Sequence, residues 1–326
     1  MIIKIILTQI KDNVTIMTIK LPKLIATSVV RGSVQGESHG GIYTVDFDKQ
    51  EGQQHVDWNT SNIDFEGRGA DRGLRGIAFD GEDIYIAASD ELFCYDKEFK
   101  LKVSFKNRYL KHAHEISRMG RRIFISSTGF DSLLAFNLDT KKFDWGFHLR
   151  KEYNQWTGGT FDPQRNMGPR DVNDFHINMV HVNNDGIFLS GLRSNGLLYL
   201  TPANSIQIIC DLPPGTHNPR LWNDGVLFND TASDCVRFIP REGEEQAHKI
   251  ISYKESDIEF AGIDDSNIAR QSFARGLCTI DDRFIAVGSS PSTISLYDLD
   301  NKQRVGTVNL SMDIRNAIHG LEVWPF

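Results

Sequence analysis

Arg75, His114, His176, His217, Arg275 and His319 occur in one recurring local pattern. Each opens a short apolar segment, as in Leu74-Arg75-Gly76-Ile77, Ala113-His114-Glu115-Ile116, Phe175-His176-Ile177-Asn178, Thr216-His217-Asn218-Pro219, Ala274-Arg275-Gly276-Leu277 and Ile318-His319-Gly320-Leu321. Convergent neutral imidazoles suit a transition metal that keeps one position open for substrate. Guanidinium groups suit a carboxylate or phosphate, which they grip through paired hydrogen bonds. On this reading His114, His176, His217 and His319 would ligate a divalent transition metal (Fe, Mn, Zn or Cu), and Arg75 and Arg275 would bind substrate. Glu115, next to His114, and Asp174, close to His176, would orient the imidazoles or act as acid and base. The same six residues without a metal describe an anion-binding funnel. A third reading needs no ligand. A polar residue repeated at a strand start can bond to the neighbouring repeat and set its spacing, helped by the small Gly76, Gly276 and Gly320.

The six openings fall at 75, 114, 176, 217, 275 and 319, spaced by 39, 62, 41, 58 and 44 residues. Behind five of them comes a turn and a second apolar strand, such as Asp83-Ile84-Tyr85-Ile86-Ala87-Ala88-Ser89 or Arg122-Ile123-Phe124-Ile125-Ser126-Ser127. Several short strands in a unit of about 40–45 residues signal a blade of a β-propeller, so an all-β, six-bladed propeller is predicted. The sixth opening lies only seven residues from the C-terminus and can supply one strand. The missing strands of that blade are predicted near the N-terminus, in Lys23–Ser28, Gly41–Asp48 and Gln54–Trp58. Pairing the two ends would close the ring and remove an open edge. The domain is read as residues 21–326, with 1–20 as an N-terminal extension.

The first strand of each propeller blade lines the central channel, so the six repeated residues are predicted to ring one mouth of it. The two longer spacings imply inserted loops at about 151–173 and 254–272, predicted to lie over that mouth, where binding function concentrates. Trp156, within the first insertion, is predicted to wall the pocket and contact substrate.

These repeats resemble the broad group of six-bladed propellers that includes the gluconolactonase-like and NHL-repeat proteins. The openings at His114, His217 and His319, the last running Ile318-His319-Gly320-Leu321-Glu322-Val323-Trp324, are most similar to a bacterial family of conserved hypothetical propellers. That likeness implies the fold and no particular activity. The gluconolactonase-like enzymes hold a divalent metal through carboxylate and amide oxygens, whereas this chain places histidine and arginine at the repeated positions. The expected function is a metal-dependent enzyme, a hydrolase, lyase or oxygenase, acting on a small anionic or polar molecule. The alternative is a non-catalytic ligand-binding or protein-interaction propeller.

Composition narrows the partners. The 326 residues carry a formal charge of −7, which argues against a general nucleic-acid face. No stretch has the roughly 20 apolar residues of a membrane span, and the apolar start Met1–Leu7 lacks a small-residue cleavage site. A cytoplasmic location is therefore expected. Cys94, Cys210, Cys235 and Cys278 are widely separated and lie in apolar runs, which reads as buried free thiols.

Overall fold

The middle strands of each repeat are apolar on both faces, a pattern that suits a sheet covered on both sides. Phe284–Ser289 and Thr293–Asp298 are buried along their whole length, whereas the outer strand Leu101–Lys106 is largely exposed. The computed structural model describes residues 4–5, 17–18, 21–34, 36–59, 73–262 and 270–326. It meets this burial demand by setting six antiparallel sheets around one axis, a six-bladed β-propeller.

Blade 1 runs from its innermost strand Ile77–Asp80 through Asp83–Ala88 and Glu91–Tyr95 to the outer strand Leu101–Lys106. The innermost strands of blades 2 to 5 are Ala113–Met119, Ile177–Asn183, Thr216–Trp222 and Leu277–Thr279. Blade 6 is built from both ends of the chain. Asn316–Val323 is its innermost strand and pairs antiparallel with Leu24–Val30, which continues to Gly41–Asp46 and Glu51–Asp57. The register Ile318↔Ser28, Gly320↔Thr27 and Val323↔Leu24 places the C-terminal strand beside the predicted partner. Of the N-terminal extension, Lys4–Ile5 pairs with Met17–Thr18, and its other residues before 21 lie outside the described set.

Apolar clusters fill the six spaces between blades. Tyr85 and Leu92 of blade 1 meet Ile123 and Phe136 of blade 2. Phe124 and Leu133 meet Val180 and Leu189 of blade 3, and Ile25 and Ile42 of blade 6 meet Ile84 and Ile86 of blade 1. Near the axis the packing is tighter. Gly320 N–H donates to Thr27 Oγ1 at 2.9 Å, and Thr27 Oγ1 donates to Arg75 O at 2.5 Å. A Cβ on Gly320 would lie 2.2 Å from Arg75 O, so only glycine admits this approach of blades 6 and 1.

The first insertion differs in part from the expectation. Much of 151–173 is a fifth strand, Gln155–Phe161, paired with the outer strand Lys142–Glu152 of blade 2. The remainder returns toward the mouth, where Tyr109 Oη donates to Arg165 O at 3.1 Å and Val172 N–H donates to Gly129 O at 3.0 Å. In 254–272, Glu259 forms a bridge with Asp313, and Ile258 packs on Ile314, just ahead of the last innermost strand. Residues 263–269 lie outside the described set.

All four cysteines are free, with Cys94, Cys235 and Cys278 buried and Cys210 half-buried. Among the described residues, no helix is long and apolar enough to cross a membrane.

Deleting residues 319–326 is expected to remove the cooperative thermal transition, because blade 6 would lose its innermost strand. A truncated chain that melts like the full chain would refute the shared blade. Gly320→Ala is expected to destabilise by about 1–3 kcal/mol through overpacking, read as a shift in denaturant midpoint.

Candidate functional site

An irregularity in the innermost strands turns polar side chains into the channel. In blade 2 the register jumps between Ala113↔Ser127 and Ile116↔Ile125, so His114 and Glu115 face a single partner residue. Blade 3 has a bulge at Asn178, blade 4 at Asn218 and Pro219, and blade 6 at His319. In blade 1, Arg75 N–H donates to Ala87 O while Ala87 N–H donates to Gly76 O, so both residues oppose Ala87. Arg275 and Gly276 oppose Gly288 in the same way in blade 5. Such bulges re-aim side chains that regular alternation would send into the blade interface.

Counting from these bulges gives a ring of Arg75, His114, Asn178, His217, Arg275 and His319. All six are between 1% and 7% exposed. They line one narrow cavity, together with Gly76, Glu115 and Asn218. Its volume of ≈ 20 Å³ for water centres has room for one or two waters. The blade 3 member is a correction, since the repeat pattern put His176 at this place. Ile177 pairs with Gly191 as Ala113 pairs with Ser127, so Asn178 is the counterpart of His114. His176 stands two residues earlier, half-buried and with φ of 56°. Its Nδ1 lies 3.1 Å from Asn173 Oδ1, and its ring meets that of His114 at 5.5 Å. The signal that identifies Asn178 is the distance back from the turn at Asn184-Asp185, which matches the distance from Gly120-Arg121 back to His114.

Two histidines are held by the same device. Thr128 Oγ1 donates to Ile177 O of the next blade at 2.7 Å, and Thr231 Oγ1 donates to Ala274 O at 2.8 Å. With that proton committed, each threonine oxygen accepts from an imidazole Nδ1–H at 2.8 Å, Thr128 from His114 and Thr231 from His217. The same Nδ1 atoms also face backbone carbonyls, at 2.7 Å for His112 O and 3.0 Å for Gly215 O. Carbonyls only accept, so both rings carry their proton on Nδ1 and turn Nε2 toward the cavity. His319 differs. Its Nε2 accepts from Arg275 Nη1 at 3.2 Å.

The mouth is cationic although the chain is acidic. Arg31, Arg270 and Arg275 all stack on the Phe273 ring, at 4.9, 5.1 and 4.5 Å from its centroid. Burial holds His217 and His319 well below the usual imidazole range. Arg275 adds to this in both, and Arg75 and Arg31 add to it in His319. His217 and His319 are therefore neutral at pH 7, and Arg75 and Arg275 bring positive charge to the ring.

Glu115 and Asn218 close the cavity below, where Asn218 Nδ2 donates to Glu115 Oε2 at 2.5 Å across the channel from blade 4 to blade 2. Burial raises the Glu115 carboxyl to about 6, opposed by Arg220 and this hydrogen bond. Further along the innermost strands lie groups that the sequence pattern missed. Burial raises Glu322 to about 7, with Arg220 opposing and Glu115 reinforcing the shift, while burial and then Arg220 lower His181 to about 4. Glu322, Arg220 and His181 each stand three residues after a ring residue, at one repeat position that Ala78, Ser117 and Cys278 fill in the other blades. That shared spacing is the sequence signal that could have found them.

Two further assignments need correction. Asp174 is exposed and does not line the cavity; its backbone N–H donates to Asp131 Oδ2 at 2.6 Å, and its carbonyl accepts from Arg193 Nε at 2.6 Å. Its expected closeness to the chemistry fails because the fixed partner is its backbone. Trp156 lies on the fifth strand of blade 2, packed on Phe175 at 4.8 Å and under Lys151 at 4.9 Å, and does not line the cavity. Strand pairing of the insertion drew it away from the mouth. Among the described residues, no three His, Cys, Asp or Glu side chains are grouped so that they could hold a metal ion.

No protein-family model and no curated protein sequence matches the chain. Among solved structures it is similar to the crystal structure of a nidogen/laminin complex, at 10% identity and TM-score 0.56, covering 92% of this chain and 97% of that one. It is also similar to a protein of unknown function from Bacteroides caccae, at 9% identity and TM-score 0.53, covering 92% and 98%. Virginiamycin B lyase from Staphylococcus aureus aligns at 10% identity and TM-score 0.44, covering 76% and 94%. Likeness at such identity concerns the fold alone. Fold and site together define a six-bladed propeller with a buried polar ring at one channel mouth.

The shifts set the direction of pH dependence. A folded-state carboxyl raised above its usual value stabilises below about pH 4.5, and that contribution is lost as pH rises through the folded value, about 7 for Glu322. The depressed imidazoles of His217 and His319 act oppositely, costing stability as pH falls below about 6.5. Glu322→Gln is therefore expected to raise stability at pH 8 by about 1–3 kcal/mol, after allowing for water in the channel. The gain should shrink toward pH 5. An equal effect at both pH values in denaturant titrations would contradict the assignment.

Proposed function

We propose that the channel mouth binds a small anionic or polar molecule, gripped by Arg75 and Arg275 and contacted by His114, Asn178, His217 and His319. The observation that carries this reading is the convergence of two buried guanidinium groups, 1% and 6% exposed, with neutral polar side chains on one cavity whose only lining carboxyl among the described residues is Glu115. Even with Glu115 ionised, these described lining groups sum to a net positive charge, which favours an anion over a cation. The three arginines around Phe273 widen the positive field at the mouth and favour capture of an anion. The small cavity favours a ligand of few atoms, or one polar group of a larger molecule.

A metal-dependent enzyme is the second reading. It is favoured by the Nδ1 anchoring of His114 and His217, which is how metal-bound imidazoles are commonly oriented. A bound Fe, Mn, Zn or Cu ion would supply Lewis acidity or activate water or dioxygen at those Nε2 atoms, with Glu115 placed to move a proton. Two features weigh against it. The described residues offer no three-ligand group, and two guanidinium groups share the cavity and repel a cation.

The two readings separate on pH. Anion affinity, measured by calorimetry with inorganic phosphate, is expected to rise as pH falls from 8 to 5.5, since Glu115 loses its charge near 6. Metal affinity would not rise over the same range, because protons only compete with a metal for its ligands. Arg75→Ala or Arg275→Ala is expected to weaken phosphate binding by about 10- to 100-fold, in line with loss of a charge-assisted hydrogen bond. Stoichiometric metal in untagged protein, lost on His114→Ala, would favour the second reading.

A further inference from the structure

We infer that the ligand of this ring is an oxyanion that brings its own O–H donor, such as a 2-hydroxycarboxylate or a monohydrogen phosphate group. This deepens the proposed function and rests on it. The arginines alone would accept any small anion. The neutral members of the ring present the opposite polarity, and geometry locks one of them in it.

His217 is the clearest case. Thr231 Oγ1 has given its proton to Ala274 O, and Gly215 O has none to give, so the proton between these atoms and the imidazole belongs to His217 Nδ1. The neutral ring then offers only a lone pair at Nε2, its cavity edge. That atom is buried and has no hydrogen-bond partner among the described residues. Rotating the ring would break two hydrogen bonds, and turning the threonine would break a bond to the next blade. The acceptor is therefore fixed by two blades at once.

Asn178 supplies the second observation, from a different blade. It is 5% exposed, lines the same cavity, and has neither its Oδ1 nor its Nδ2 hydrogen-bonded within the described residues. Buried polar side-chain atoms without partners are rare and call for an explanation. Here a ligand that accepts from Nδ2 and the guanidinium groups while donating its one hydrogen to His217 Nε2 or Asn178 Oδ1 satisfies all but one of these atoms. An anion without a hydrogen atom would leave both acceptors facing its own lone pairs. This penalty is the usual source of strong discrimination between ligands that differ by one hydroxyl.

The test uses two pairs of probes, each matched in charge at pH 7.5: glycolate against acetate, and hydrogen phosphate against sulfate. Calorimetric titration of the full chain is expected to show at least one donor-bearing member binding about 10- to 100-fold more tightly than its match, the effect of one unpaired buried acceptor. The pair with the larger ratio tells the hydroxycarboxylate from the phosphate source. His217→Phe is expected to shrink that ratio. If the members of both pairs bind within about twofold of each other in the unaltered protein, this inference fails and the anion site stands. If none of the four binds, the anion site fails and this inference with it. Should His217→Phe not fold, the comparison in the unaltered protein still decides, and Nε2 of His217 in ¹⁵N spectra of the folded protein must show the unprotonated form for the inference to hold.

Discussion

The bulge near the start of each innermost strand is the constraint on which the rest depends. Six strands must converge on one axis, and the blades touch there through backbone rather than side chain. Gly76 N–H donates to His114 O at 2.8 Å, and Thr27 links Gly320 N–H to Arg75 O. At such separations a regular strand would push its side chains into the neighbouring blade. The bulge absorbs one residue and turns a polar side chain to the axis instead. The site is thus a by-product of closing the ring, and its residues are held by the bonds that hold the blades.

This coupling explains why the hydroxyls of Thr128 and Thr231 matter beyond their own blades. Each joins the 3₁₀ turn after a second strand to the start of the next innermost strand, and each fixes a histidine on the way. Blade spacing and imidazole tautomer are settled by one hydrogen-bond chain. A reading of the repeated residues as purely architectural captures half of this. The Nδ1 atoms of His114 and His217 do serve the blades, but His217 Nε2 and the Asn178 amide have no hydrogen-bond partner among the described residues.

Much of this was legible in the sequence because it is periodic. The spacing of the openings gave six blades, and the lone strand around His319 gave the closure through Leu24–Val30. Five of the six ring positions followed from the same pattern. The blade 3 position did not, because His176 imitates the motif two residues early while the bulge falls on Asn178; only distance from the following turn separates them. Asp174 and Trp156 were misjudged because an insertion carries no repeat to fix its place. In it, strand pairing at the blade 2 edge outweighed proximity to the mouth. Glu322, Arg220 and His181 share one repeat position, three residues after the ring residue, but it holds a different residue type in each blade and so does not stand out as a repeated residue.

The second bulge position explains why the cavity is shallow. Blades 1 and 5 place Gly76 and Gly276 there, next to their arginines, and so leave room beside each guanidinium group. Blades 2 and 4 place Glu115 and Asn218, and these two meet across the axis. Asn218 cannot turn away, because its Oδ1 already accepts from Gly276 N–H at 3.1 Å and Asn229 Nδ2 at 3.2 Å. Its amide N–H therefore points at Glu115 and forms a floor under the ring. Below that floor the channel carries Glu322 and Arg220; above it lie two arginines and neutral imidazoles. The floor divides Glu322 and Arg220 from the cationic mouth. The depth of the cavity is thus set by one hydrogen bond between two residues that the repeat made equivalent and the sequence made different.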